Sequence, residues 1–165
     1  MTDLFIEFTR PSGAKPISWA IRMIQGTPYS HVRFRWINSM GVEIIYEASG
    51  SRVKFIGPLA ASSMKVDTVA SVGYTLDRTQ YRKLVEVCMT YAGVTYGTLQ
   101  LIGIGLAQLF HLKKNPLSRG TKQQVCSELV GRVMEEVLGQ KIPLDWDMAG
   151  PKEIYNWTQQ GERNE

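Results

Sequence analysis

Apolar and polar residues alternate along much of the first half of the chain. Such alternation is typical of half-buried strands. It predicts strands at residues 4–8, 30–37, 41–48, 52–56 and 65–76. Between the first two strands, apolar residues recur every three to four positions up to Gly26, which predicts a helix at residues 17–25.

The second half has helical periodicity instead. It predicts three helices and a short final one, at residues 77–92, 98–112, 125–138 and in the segment PKEIYNW. Asp77 is expected to cap the first, with Gln80 at the capping-box position, and Gly139 to end the third. The core-facing stripe expected on the first consists of Tyr81, Leu84, Val85, Cys88, Met89 and Ala92. Strands followed by helices predict an α+β domain, a small antiparallel sheet with helices packed on it.

The second and third strands are predicted to form a hairpin that turns at Ser39. Residues whose numbers sum to 78 then lie opposite one another, which pairs His31 with Glu47. Opposite side chains on one face have Cβ atoms about 4.5–5.5 Å apart. A carboxylate at that distance could orient the imidazole of His31 and raise its basicity. The alternative is a charged cross-strand pair on a solvated face.

The amino-acid composition excludes some classes of protein and of binding site. The 165 residues fit one domain over the whole length, with ordinary hydrophobic (44%) and charged (21%) fractions. The net charge of +4 is too small to indicate a nucleic-acid-binding protein, but it favours an anionic cell-wall or lipid surface as a partner. No Cys/His cluster has metal-ligand spacing, so we expect neither a metal nor a cofactor.

Signals for targeting are also lacking. The first residues do not resemble a signal peptide, and the longest apolar stretch, at 99–112, is too short to span a bilayer. These features predict a cytoplasmic protein or one delivered by a route without a signal peptide, as a phage protein or an effector would be.

Cys126 is the strongest candidate for a nucleophile. It is expected in the first turn of the helix at 125–138, where the helix dipole and unpaired amides favour a thiolate. The same amides could hold an oxyanion during acyl transfer. The alternative is an inert buried cysteine, which is how we interpret Cys88 on the core stripe of its helix.

The order of SHV, YEA and CSELV along the chain resembles the circularly permuted branch of the NlpC/P60 (papain-like) cysteine hydrolases. This resemblance implies that His31 is the base, Glu47 the polar third member and Cys126 the nucleophile. Tyr96 in GVTYG is similar to a tyrosine ahead of the family's cysteine, which implies a place near the substrate. Gly97 stands where the family often has an acid, and the late PKEI is similar to a family element.

The resemblance implies a thiol hydrolase that cleaves an amide bond, in a cell-wall peptide, through a covalent acyl-enzyme. Two alternatives remain open. The apolar helix at 98–112 could line a pocket for an acyl chain, as in a lipid-directed acyl hydrolase or acyltransferase, or it could simply be a core helix. A non-catalytic binding or structural module on the same scaffold would have an ordinary Cys126 thiol.

Overall fold

The computed structural model describes residues 1–95, 97–117, 125–146 and 148–161. Within these residues, five strands form one antiparallel sheet in the order β4-β3-β2-β1-β5. The strands are β1 (Thr2–Pro11), β2 (His31–Ile37), β3 (Glu43–Ser49), β4 (Arg52–Ile56) and β5 (Val66–Leu76). All five lie where the alternation predicts them, although β1 is longer at both ends.

The described helices are α1 (Pro16–Gln25), α2 (Pro58–Ser62), α3 (Arg78–Tyr91), α4 (Thr98–Leu109), α5 (Cys126–Leu138) and α6 (Pro151–Gly161). The fold is therefore α+β, as predicted. The sequence analysis missed α2 because its five residues are too few to show helical periodicity. Among the described residues, no helix is both long and apolar enough to cross a bilayer.

The main hydrophobic core lies between one face of the sheet and α5. On β2, Val32, Phe34 and Trp36 face this core and are at most 1% exposed. Six apolar residues of α5 and its N-cap are buried: Val125, Leu129, Val130, Val133, Met134 and Val137. Because α5 packs on both β2 and β3, its first turn lies beside the strands that carry His31 and Glu47.

α3 is capped as predicted but presents a different stripe to the core. The Asp77 carboxylate accepts from the Gln80 N–H at 2.8 Å, and the Gln80 side chain accepts from the Asp77 N–H at 3.1 Å. The buried positions are Leu84, Val87 and Cys88. The predictions for Met89 and Ala92 were wrong, since Met89 is 62% exposed and Ala92 is exposed as well. A stripe through residues 84, 87 and 88 turns residue 89 about 100° away from the core.

The β2–β3 hairpin has a register two residues away from the prediction. Phe34 lies opposite Tyr46 and Trp36 opposite Ile44, so paired numbers sum to 80 rather than 78. Side chains in a strand alternate with a period of two, and a shift of two residues therefore keeps every side chain on its predicted face. Continuing this register makes His31 and Glu47 diagonal neighbours on one face instead of directly opposite.

The turn explains the shift. Asn38 donates its N–H to the Val42 carbonyl at 2.9 Å, and its side-chain oxygen accepts from the Met40 N–H at 2.9 Å. Gly41 has a φ of 76°, which favours glycine. The connection is thus a five-residue loop centred on Met40, and the predicted turn at Ser39 was wrong because this side-chain hydrogen bonding was not foreseen.

Candidate active site

Three chain segments bring His31, Glu47 and Cys126 together. His31 opens β2, Glu47 lies in β3, and Cys126 is the first residue of α5. The His31 Nε2 atom lies 3.1 Å from Glu47 Oε2, and the His31 ring is also hydrogen-bonded to the Cys126 side chain. With Nε2 engaged by the carboxylate, Nδ1 is the nitrogen that remains for the thiol.

Cys126 lies at the N-terminus of a helix, where no capping side chain occupies the free backbone N–H groups. Val125 is the extended N-cap residue, and it makes no side-chain cap. The first N–H groups of a helix have no partner within the helix. The N–H of Ser127 hydrogen-bonds to the Cys126 sulfur, as does the N–H of Val32 on β2. The sulfur is therefore surrounded by donors, which stabilise a thiolate.

The pKa values of Cys126 and His31 shift in opposite directions. Burial alone would raise the pKa of Cys126, but the charge and hydrogen bond of His31 and the two backbone N–H groups lower it below 9.0. Burial alone would lower the pKa of His31, but Cys126 and then Glu47 raise it from 6.5 to about 10. Thiolate and imidazolium thus stabilise each other, and the pair favours the ionised form.

Glu47 remains ionised although its side chain is only 3% exposed. Burial would raise its pKa, but the hydrogen bond and charge of His31 lower it, as do a hydrogen bond from the Ser49 hydroxyl and the charge of Arg33. Together they bring the pKa of Glu47 down to about 2. The carboxylate is therefore charged at neutral pH and can hold the imidazolium in place.

An ion-pair cluster lies along the same strands. The buried Glu7 carboxylate on β1 is held by Arg33 at 2.9 Å and by Arg35 at 2.6 Å. Glu7 is the cross-strand partner of Arg33. This cluster was not predicted, because the strand that pairs with β1 cannot be read from the sequence alone. The polar residues at alternating positions of β1 and β2 were the available signal.

Thr9 is a further neighbour of His31 that was not predicted. It lies directly opposite His31 on β1, next to an irregularity in the β1–β5 register between Phe8 and Thr9. Its hydroxyl is buried and has no hydrogen-bond partner among the described residues. A bulge can re-aim a side chain beside an active site. The Thr9 hydroxyl could therefore donate or accept a further hydrogen bond near the imidazole.

Cys88 provides the contrast. It is fully buried in α3, and burial raises the pKa of its thiol. Its backbone carbonyl accepts from the Tyr46 hydroxyl at 2.7 Å, which ties α3 to β3. The interpretation of Cys88 as a small hydrophobic residue agrees with this environment.

The candidate site is largely buried, and α1 lies near the residues that precede His31 and Cys126. Cys126 is 1% exposed and the His31 side chain 19% exposed. Ser18 on α1 shares a 2.6 Å hydrogen bond with Ser30, the residue before His31. Ile21 on α1 packs against the small apolar cluster of Ile104 and Val125, and Val125 is the residue before Cys126.

A cavity of 430 Å³ lies between α1, α4 and the start of α6. Gln25 lines it and joins the three helices, because its side chain donates to Gln108 at 3.2 Å and accepts from the Lys152 N–H at 3.3 Å. Cys126 does not line this cavity. Ser127, the residue after Cys126, donates its hydroxyl to the carbonyl of Ala149, which follows the lining residue Met148, at 2.6 Å.

The remaining predicted site features have different outcomes. Tyr96 lies outside the described residues. Gly97 is the buried N-cap residue of α4, which ends at Leu109 instead of the predicted Leu112. The PKEI segment forms the start of α6, and its Ile154 is fully buried, which is a structural role.

Comparisons with known proteins show the fold alone. No protein-family model matches the chain, and no curated protein matches it. Among solved structures, it is similar to the crystal structure of metalloprotein yiiX (DUF1105) from Escherichia coli O157:H7, with a TM-score of 0.59 and 20% identity over 99% of this chain and 82% of that one. In this chain, the described residues include no group of three His, Cys, Asp or Glu suited to hold a metal ion.

Proposed function

We propose that the protein is a cysteine hydrolase in which Cys126 is the nucleophile, His31 the base and Glu47 the residue that orients His31. One observation carries this proposal: a thiol at a helix N-terminus is hydrogen-bonded to an imidazole that a buried carboxylate holds from its other side. Nucleophile, base and orienting group in mutual contact are the arrangement that activates a thiol for acyl chemistry.

The reaction follows from these contacts. The Cys126 thiolate attacks the carbonyl carbon, and backbone N–H groups at the start of α5 stabilise the oxyanion. As the carbon–nitrogen bond breaks, the His31 imidazolium gives its proton to the leaving amine, and a thioester remains on Cys126. His31 then takes a proton from water, the hydroxide attacks the thioester, and the carboxylic acid leaves with the thiolate restored.

An amide is the proposed scissile bond, and a cell-wall peptide the proposed substrate. This choice rests on the resemblance of SHV, YEA and CSELV to the permuted NlpC/P60 hydrolases. A fold can host many substrates, so the choice of substrate is separate from the chemistry and is tested separately.

A lipid-directed acyl hydrolase or acyltransferase is the second candidate, and one observation favours it. Large apolar side chains remain exposed on α1 and at the end of α4, including Trp19 at 58% and Phe110 at 64%. Because Ile21 of α1 packs against the cluster of Ile104 and Val125, an acyl chain that entered between these residues would arrive next to Cys126. Incubation with fatty-acyl esters and with cell-wall peptides, followed by mass measurement of the acyl group on Cys126, distinguishes the two substrates.

The first experiment measures the alkylation rate of Cys126 against pH in the parent protein and in His31→Ala. We expect the alkylation of Cys126 in the parent to begin at a lower pH than that of an ordinary thiol, since the pKa of Cys126 is lowered. His31→Ala is expected to lose this advantage. Cys88, whose pKa is raised by burial, is the internal control in each sample.

A Cys126 that titrates near the ordinary value for thiols, about 8.5, and does not respond to His31→Ala would contradict the proposal. In that case a non-catalytic binding module would be the better account of the chain.

A further inference from the structure

Arg33 lies on β2 between two buried carboxylates. Glu7 is its partner on β1, and continuing the β2–β3 register beyond the pair of Phe34 and Tyr46 places Glu47 opposite it on β3. All three charged side chains are at most 8% exposed. Opposite residues on one face of a sheet have Cβ atoms about 4.5–5.5 Å apart, so the long side chain of Arg33 can reach either carboxylate.

The Arg33 guanidinium is bound to Glu7. Its Nε and Nη2 atoms both lie 2.9 Å from Glu7 Oε2. None of the described hydrogen bonds joins Arg33 to Glu47. The Oε2 atom of Glu47 is thereby available to His31 Nε2, which lies 3.1 Å away.

Without Glu7, Arg33 would compete with His31 for Glu47. A guanidinium is always charged, and its planar fork can bind a carboxylate through two parallel hydrogen bonds, whereas one imidazole nitrogen donates a single bond. A buried charge that loses its partner is also costly. An Arg33 side chain released from Glu7 would therefore turn to the carboxylate opposite it on β3.

We propose that Glu7 is a positioning residue of the candidate site. By binding Arg33, it prevents that side chain from displacing His31 at Glu47. This inference rests on the proposed roles of His31 and Glu47. Arg35 holds the second oxygen of Glu7, with its Nε atom 2.6 Å from Oε1, so Glu7 keeps a cationic partner even when Arg33 is replaced.

The strands place further charged side chains on this face of the sheet: Asp3, Arg35, Glu43, Arg52 and Lys54. Arg35 lies opposite Ile45 and not opposite Glu47. Lys54 on β4 does lie opposite Glu47, but it is exposed, and an exposed ion pair is weak. The residues of α2, which packs against β3, are uncharged. Arg33 is thus the buried cation whose release would affect the site.

The test is the titration of the His31 imidazole, followed by two-dimensional NMR of the histidine ring carbons. Glu7→Gln is expected to lower the pKa of His31 from about 10 by at least about one unit, because the released Arg33 takes Glu47 from the imidazolium. Arg33→Met should leave the pKa of His31 close to that of the parent. So should Glu7→Gln/Arg33→Met, in which no guanidinium is left to compete.

Two further variants separate this effect from a change in net charge. Glu7→Asp keeps the charge but draws the carboxylate back by one methylene, so it should also lower the pKa of His31, by less than Glu7→Gln. It carries the test if Glu7→Gln does not fold. Glu43→Gln is the matched control, because it removes a carboxylate from Arg35, which lies opposite Ile45. It should leave the His31 titration unchanged.

The proposal is wrong if neither variant of Glu7 changes the His31 titration. It is also wrong if Arg33→Met lowers the pKa of His31 as much as Glu7→Gln does, since Arg33 would then support Glu47. A third contradicting result is that the two substitutions simply add in the double variant, as two opposite changes of charge would. Failure of the hydrolase proposal is seen separately, as a Cys126 that is alkylated like an ordinary thiol in the parent.

Discussion

At the scale of single residues, the basicity of His31 depends on two contacts that act from opposite sides. Cys126 contributes most to the raised pKa and Glu47 contributes the rest, against the effect of burial. Neither partner can be replaced by solvent, because Cys126 is 1% and the Glu47 side chain 3% exposed. Each contact can therefore be measured through the titration of one imidazole.

Glu47→Gln should lower the pKa of His31 from about 10 by at least about one unit. The reason is that the neutral amide removes a charge that favours the imidazolium. Two-dimensional NMR of the histidine ring carbons measures this change, since the chain has only His31 and His111.

The matched control for this experiment is Glu43→Gln. Glu43 is a carboxylate on the same strand, but its described ion pair is with Arg35. Glu43→Gln should leave the His31 titration as it is in the parent. An unchanged His31 pKa in Glu47→Gln would show that the carboxylate does not support the imidazolium.

The three central residues of the candidate site could be predicted from the sequence, but the residues around them could not. Cys126 could be predicted because helical periodicity located the start of its helix. His31 and Glu47 could be predicted because a register shift of two residues leaves both side chains on the same face of the sheet. Thr9 and Arg33 were missed because their positions depend on how β1 pairs with β2 and β5. Pairing between distant strands leaves no local pattern in the sequence.

At the scale of elements, we predict that α1 limits access to the thiol. Its Ser18 hydroxyl is hydrogen-bonded to Ser30 beside His31, and a typical hydrogen bond contributes about 1 kcal/mol. Ser18→Ala should therefore loosen α1 and raise the alkylation rate of Cys126 by up to about fivefold. The rate is measured by mass spectrometry under native conditions.

Ser62→Ala is the control for this variant, because the Ser62 hydroxyl makes its hydrogen bond within α2. It should not change the rate. If Ser18→Ala also leaves the alkylation rate unchanged, α1 is not the segment that limits access.

The placement of α5 depends on one close approach. A side-chain carbon at Gly131 would overlap the indole ring of Trp146. Gly131→Ala should therefore reduce the free energy of unfolding by about 2 kcal/mol. Urea unfolding measures this loss, and Gly13→Ala, at a position with open space around it, should have a smaller effect.

A double-mutant cycle identifies the cause. In a Trp146→Ala background, Gly131→Ala should cost much less, because the ring that it would overlap is gone. Equal costs in the two backgrounds would mean that the loss does not come from the contact with Trp146.

At the scale of the whole molecule, the candidate site links stability to pH. The pKa of Glu47 is about 2 in the folded state against 4.5 for the free side chain. A lowered pKa contributes stability that is present above 4.5 and is lost as the pH falls through about 2. For this buried group the contribution is on the order of 3 kcal/mol.

The unfolding free energy of the parent should therefore approach that of Glu47→Gln as the pH falls from 4.5 to about 2. Chemical denaturation of both proteins across this range measures the difference. A constant difference over the range would contradict the assigned pKa of Glu47.

The order of the elements was predictable, and part of their packing was not. The change from alternating to helical periodicity gave the α+β class, and capping residues such as Asp77 located helix ends. The hairpin register was wrong because the Asn38 side chain and Gly41 set the loop length. The exposed face of α4 was not foreseen either, since an all-apolar helix does not reveal which side is covered.

The order of the segments has a consequence for synthesis of the chain. His31 and Glu47 emerge from the ribosome well before Cys126, and contacts between residues so far apart in sequence form late in folding. Until α5 settles on β2 and β3, the thiol has neither the imidazole nor the Val32 amide beside it and remains mostly protonated at neutral pH. A nascent or unfolded chain therefore carries an ordinary thiol at Cys126, and its lowered pKa arises only when the fold is complete.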